Sequence, residues 1–214
     1  MIKNLIFDFD GTLADTSKLI VTTMQKTIQD IGLPYRTEEE LKAAIGIRLE
    51  EIPSFLWQDL KGLGEKSADV YRRNFEIIKE EIKVSLFPKV KETLTILKNK
   101  GYGLAIATSR SYKSVYNLTE LLGITEYFDF LLGGDNVIEG KPNPESIYLI
   151  LEEMRWKPSE TVMVGDMPVD IRMGKNASIE TIAVSYGNAN DTSLKDSQPD
   201  YLIPSFSEIL NIID

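Results

Sequence analysis

Two short acidic motifs stand out along the 214-residue chain for the chemistry they allow: Asp8-Phe9-Asp10-Gly11-Thr12 and Gly165-Asp166-Met167-Pro168-Val169-Asp170. Side chains two apart on a strand share a side, so Asp8 and Asp10 face one small volume while Gly11 lets the chain turn tightly. Carboxylates so close repel each other, which asks for a cation or a shared proton. In the second motif the acids stand four apart at a predicted helix start, on one face, where the helix dipole favours negative charge. Each motif also has a plainer reading: Asp-Gly after a strand is a common turn, and Asp166 suits a helix cap ahead of Pro168. Between them, Thr108-Ser109-Arg110 offers a hydroxyl and backbone amides to an anionic oxygen, and equally a cap for a helix over Ser111 to Leu122. Lys141, in Gly140-Lys141-Pro142-Asn143, offers a cation to a phosphoryl oxygen, although a lone loop lysine is most often solvated.

Composition narrows what these groups do. The chain has no His and no Cys, which removes imidazole shuttles, Ser-His-Asp triads, thiol nucleophiles and thiolate metal sites. Lys and Arg total 24 against 33 Asp and Glu, a formal charge of -9, so no basic surface is expected to follow nucleic acid. No run approaches the ~20 apolar residues of a membrane span, and the first residues, turning acidic at Asp8, lack the pattern of a secretory signal. The expectation is a cytoplasmic protein without membrane or nucleic-acid partners, a monomer or weak homodimer.

The elements that must position the motifs are legible as short apolar runs alternating with helical periods, the pattern of an α/β fold with a parallel sheet. Strands are predicted at 3–9, 104–107, 128–132, 161–165, 181–184 and 201–203. Pro88 suits a first helical position, Gly101 a helix stop, and Asn143-Pro144 and Ser205 to Glu208 suit helix starts. One segment breaks the alternation. Leu19, Ile20, Met24, Ile28 and Ile31 recur at helical spacing, Thr37 to Glu40 form a capping box, and Ala68, Tyr71, Phe75, Ile78 and Ile82 step by threes and fours. This reads as a helical insert whose two connections, near 14–16 and 84–88, lie close together as hinges. Both acidic motifs then fall at carboxyl ends of strands in one sheet, where such folds carry function. Four carboxylates converging there without His or Cys describe a hard oxygen site for which Mg²⁺ is the expected occupant.

Asp8-x-Asp10-Gly11-Thr12, a strand ending in Thr108, Lys141 before Pro142, and Gly165-Asp166-x-x-x-Asp170 resemble, in order, the four motifs of the haloacid dehalogenase superfamily. The resemblance spans essentially the whole chain and is nearest to the phosphoglycolate phosphatase-like hydrolases. It implies a Rossmann-like core over 1–15 and 86–214 with a helical C1 cap over 16–85. It implies a Mg²⁺-dependent phosphatase acting on a small phosphate ester, with Asp8 as nucleophile and Asp10 as general acid and base. Mg²⁺ would be held by Asp8, the carbonyl of Asp10, Asp166 and Asp170. Thr108 and Lys141 would hold the transferring oxygens, assisted by loop amides near Gly11, Thr12 and Ser109. In the insert, Ile45-Gly46-Ile47-Arg48 is similar to a cap loop that reaches the site, which makes Arg48 a candidate substrate contact, whereas Trp57 and Tyr71 are read as packing residues. Lys89 and Ser178 stand where relatives commonly have Gly. A phosphomutase would use the same motifs. A dehalogenase would need neither Asp10 nor a metal, and a non-catalytic phosphate-binding module would not need the full set.

Overall fold

Strand-forming runs that end in turn residues and are followed by amphipathic helices have one economical arrangement, a parallel sheet with helices on both faces. The computed structural model, which describes residues 1–59 and 62–213, has that form. In chain order β1 (Asn4–Phe7) and the short β2 (Ala14–Asp15) precede α1 (Ser17–Ile31), α2 (Glu38–Ala43), α3 (Ile52–Leu56) and α4 (Gly64–Ile78). Then follow β3 (Ser85–Leu86), α5 (Val90–Asn99), β4 (Gly103–Ala107), α6 (Tyr112–Leu122), β5 (Phe130–Leu132) and α7 (Glu145–Met154). The chain closes with β6 (Thr161–Gly165), α8 (Pro168–Asn176), β7 (Glu180–Val184), α9 (Asp191–Asp196), β8 (Tyr201–Ile203) and α10 (Ile209–Ile213). No helix among the described residues is long and apolar enough to cross a membrane.

The six-stranded sheet has the order β5-β4-β1-β6-β7-β8, every neighbouring pair parallel. Strand order reverses between β1 and β6, the position where open α/β sheets leave a crevice at their carboxyl ends. Alternation along each strand divides the core. Leu5, Phe7, Leu104, Ile106, Val162 and Val164 enter one face with residues of α5, α6 and α10. Ile6, Ala105, Ala107 and Met163 enter the other with α7 and α8. Both faces are covered, so the strands are nearly all apolar, each large side chain contributing ~1.5–3 kcal/mol by burial.

Two expected boundaries shift for identifiable reasons. The first strand stops at Phe7 rather than running to 9, because the carbonyl of Phe9 turns to accept the amides of Leu13 and Ala14 at 3.0 and 3.1 Å. Pro88 does not open a helix: Lys89 takes a left-handed conformation, φ 68°, and α5 starts at Val90.

The insert builds its own apolar cluster, with Leu19, Ile20 and Met24 of α1 against Tyr71, Phe75 and Ile78 of α4, and Leu41 and Ile45 between. The predicted capping box forms. Thr37 Oγ1 accepts the Glu40 amide at 3.2 Å, and the Glu40 carboxylate accepts the Thr37 amide at 2.7 Å. Where the insert leaves and rejoins the sheet, β2 and β3 pair antiparallel, Ala14 opposite Leu86 and Asp15 opposite Ser85. The two connections predicted to lie together are thus hydrogen-bonded to each other.

Candidate active site

Asp8 follows β1 directly, and its amide still donates to the Val164 carbonyl at 2.9 Å, which continues the ladder toward β6. Asp8 is 3% exposed. The turn after it depends on Gly11, which has φ 87° and no room for a side chain: a Cβ there would lie 2.1 Å from Asp166 Oδ2. That close approach brings the first motif onto the second. Asp166 leaves β6 fully buried, and its Oδ1 accepts Thr12 Oγ1 at 3.3 Å. Asn188 donates to Asp166 Oδ2 from its amide at 2.7 Å and its side chain at 3.0 Å. Asp170, in the first turn of α8, accepts the Met167 amide at 3.0 Å, so its Oδ2 caps the helix while Oδ1 stays turned to the site. One carboxylate oxygen from each of Asp8, Asp166 and Asp170 lies within 4.8 Å of the others.

Lys141 enters this cluster from the loop before α7. Its side chain is 4% exposed, and its ammonium lies 2.5 Å from Asp8 Oδ1 and 2.8 Å from Asp170 Oδ1. One cation among three buried carboxylates leaves excess negative charge, and the titration of the group reflects it. Burial, and then repulsion from the other carboxylates, drives Asp8 well above its ordinary 3.8 despite the pull of Lys141. Burial and Asp170 lift Asp166 to about 7, with the Asn188 hydrogen bonds pulling the other way. For Lys141 burial opposes the charge, but attraction to Asp170 and Asp8 outweighs it and raises the ammonium pKa. A buried cluster of oxygen donors with unbalanced negative charge suits a hard divalent cation such as Mg²⁺.

Asp10 faces away from this cluster. Its carboxylate accepts Thr16 Oγ1 at 2.6 Å and Arg110 Nε at 2.8 and 2.9 Å. At the end of β4, Thr108 is buried, with its hydroxyl accepting the Arg110 amide at 3.2 Å. The Ser109 hydroxyl donates to the Gly46 carbonyl at 2.6 Å, joining the sheet end to the insert. Arg48 adds to that join. Its guanidinium donates to the carbonyls of Ile138 at 2.6 Å, Gly134 at 2.7 Å, and Val137. A cavity of about 770 Å³ lies between insert and sheet, lined by Asp8, Asp10, Thr108 and Arg110 below and by Ile45, Arg48, Tyr71 and Phe75 above.

The structure thus gathers Asp8, Gly11, Thr12, Lys141, Asp166 and Asp170 into one cluster. Asp10, Thr108, Ser109 and Arg48 stand around the adjoining cavity. Spacing alone does not single out Thr16, Arg110 or Asn188. The signal for Asn188 is its place just past the carboxyl end of β7, beside β6, and that for Arg110 its place two residues past Thr108 at the end of β4.

The model of the family "Haloacid dehalogenase-like hydrolase" matches residues 5–184. The chain is 34% identical over 224 residues to a phosphoglycolate phosphatase of Vibrio parahaemolyticus, covering 99% of this chain and 96% of that protein. It is 31% identical over 215 residues to the pyrophosphatase PpaX of Oceanobacillus iheyensis, covering 99% and 97%. The crystal structure of a predicted phosphoglycolate phosphatase from Haemophilus somnus superposes with a TM-score of 0.86 at 29% identity, covering 100% of this chain and 98% of that one. A family match over most of the chain, on a sheet that brings its four motifs to one crevice, makes this protein a member of the haloacid dehalogenase-like hydrolases.

Proposed function

We propose that the chain is a Mg²⁺-dependent phosphatase that hydrolyses a small phosphorylated metabolite through an aspartyl-phosphate on Asp8. The observation that carries this reading is the buried Asp8 carboxylate, paired with Lys141 at 2.5 Å and grouped with Asp166 and Asp170. In the first step an Asp8 oxygen attacks phosphorus, and the bond from phosphorus to the leaving oxygen breaks as Asp10 gives that oxygen a proton. In the second, water attacks the same phosphorus, Asp10 takes the proton, and Asp8 is released together with inorganic phosphate. Thr108 and Lys141 hold the non-bridging oxygens, with the loop amides near Gly11, Thr12 and Ser109. Bound by Asp8, the Asp10 carbonyl, Asp166 and, directly or through water, Asp170, Mg²⁺ would supply the positive charge that lets an anionic nucleophile meet an anionic substrate. Residues 16–85 act as a cap over a core of 1–15 and 86–214, excluding bulk water and favouring metabolites over protein substrates. The names of the relatives, phosphoglycolate phosphatase and pyrophosphatase, support this class of substrate.

The test is release of inorganic phosphate from p-nitrophenyl phosphate and a metabolite panel, with Mg²⁺ or with EDTA. Chelation is expected to abolish turnover and Asp8→Asn to lower kcat at least ~10³-fold. Turnover that survives either change overturns the mechanism. Phosphate released in proportion to substrate consumed separates hydrolysis from phosphoryl transfer to a second hydroxyl, as in a phosphomutase.

A further inference from the structure

The hydrolysis above uses one cation of the chain, Lys141, and leaves a second without a task. Arg110 stands two residues past Thr108 with its side chain 10% exposed. Nε donates to both Asp10 oxygens, at 2.8 and 2.9 Å, and Nη1 donates to Ser114 Oγ at 3.1 Å. Nη2 is buried and has no hydrogen-bond partner among the described residues. Above it, the ring of Phe75 from α4 lies 5.2 Å from the guanidinium carbon.

Buried polar groups in proteins nearly always have partners, and an orphaned charged donor is costlier still, so the unfilled Nη2 is a position kept for something the protein meets later. What it takes is set by its chemistry. A guanidinium offers paired N–H groups in a fixed plane, matched to the two oxygens of a carboxylate or phosphoryl group. Where that anion sits is set by Asp10. Lys141 pairs with Asp8 and Asp170, on the side where phosphorus is attacked, whereas Arg110 pairs with Asp10, which protonates the departing oxygen. The leaving portion of a substrate therefore lies beside Arg110, inside the cavity that Arg110 and Phe75 line together. Burial under Phe75 strengthens the attraction by excluding water.

We propose that Arg110 reads a second anionic group on the leaving portion of the substrate, so that the preferred substrates are phosphate esters or anhydrides of small acids. This rests on the phosphatase reading and adds to it the class of leaving group. The experiment compares kcat/KM of the protein with Mg²⁺ for 2-phosphoglycolate, for its nearly isosteric amide, whose leaving portion is uncharged, and for pyrophosphate, with p-nitrophenyl phosphate measured alongside. Wild type is expected to favour the carboxylate over the amide by about 10²-fold, as sites built to bond a polar group discriminate strongly against analogues lacking it. Arg110→Gln is expected to bring that ratio to within about threefold of one. Arg110→Lys keeps the charge opposite Asp10 but loses the planar fork, is expected to cut the ratio at least about fivefold, and serves if the Gln variant does not fold. Whether pyrophosphate falls with the carboxylate in these variants tells which acid the site takes. A wild-type ratio near one, or an equal loss on carboxylate and amide in both variants, overturns the proposal and leaves Arg110 as a residue that positions Asp10. Absence of Mg²⁺-dependent turnover of every substrate, p-nitrophenyl phosphate included, would instead remove the phosphatase reading beneath it.

Discussion

Asp8, Asp166 and Asp170 are held where water would normally stabilise their charge, and the folded chain offers them only Lys141 in exchange. The consequence is a dependence of stability on pH with a definite sign. Unfolded, Asp8 and Asp166 ionise near 3.8; folded, Asp166 is held up at about 7 by burial and Asp170, and Asp8 is raised in the same direction. Between those values the metal-free folded protein keeps protons that the unfolded chain releases. The stability they contribute is complete below 3.8 and is lost as pH rises through about 7. Protons and a divalent cation compete for the same oxygens. Thermal denaturation of metal-free protein with and without millimolar Mg²⁺ is expected to give a larger rise in Tm at about pH 8 than at about pH 5. A difference of ~1 kcal/mol between the two corresponds to ~2–4 °C. An equal rise at both pH values would mean that Mg²⁺ binds elsewhere.

At the scale of elements, the two positions where Gly was expected are informative because the backbone still takes the shape Gly prefers. Lys89 precedes α5 with φ 68°, and Ser178 follows the end of α8 with φ 57°, its amide donating to the Lys175 carbonyl at 2.9 Å. Side chains with a Cβ resist this left-handed region by ~1–2 kcal/mol, and the residue after a helix end is where Gly removes that cost. Lys89→Gly and Ser178→Gly are each expected to stabilise the protein by ~1 kcal/mol, some 2–4 °C in Tm, with phosphatase kinetics unchanged. Chemical denaturation at constant m-value checks this. A neutral or destabilising result at both sites would show that neighbouring contacts, and not backbone preference, set these turns. Neither position lines the cavity, so the tightness of these turns is a property of the scaffold.

At the scale of the whole molecule, the insert meets the core with Phe75 over Arg110 inside the cavity, and through two sets of hydrogen bonds: the β2-β3 pair where its two connections run together, and the bonds of Arg48 and Ser109 beside the cavity. The second set ties the insert to the sheet end beside the cavity, so weakening it is expected to act on substrate retention. Arg48→Ala removes charge-assisted bonds to three carbonyls of the 134–138 loop and is expected to raise KM about tenfold for the best substrate. Unchanged kinetics across a phosphate-ester panel would remove Arg48 from both substrate retention and substrate contact. The sequence alone determined the α/β alternation, the helical insert, the capping box at Thr37 and the four motifs, because each is written in local periodicity or in residues a few positions apart. Absence of His and Cys likewise confined the chemistry to oxygen donors and cations before any fold was known. What only the tertiary structure decided is which groups meet across the chain: Asn188 and Thr12 on Asp166, Arg110 on Asp10 under Phe75, and Arg48 on the 134–138 loop. Such contacts arise from strand order and from the closeness of the insert to the sheet end. No local periodicity encodes them, because the partners are dozens of residues apart and become neighbours only when the sheet closes around β1.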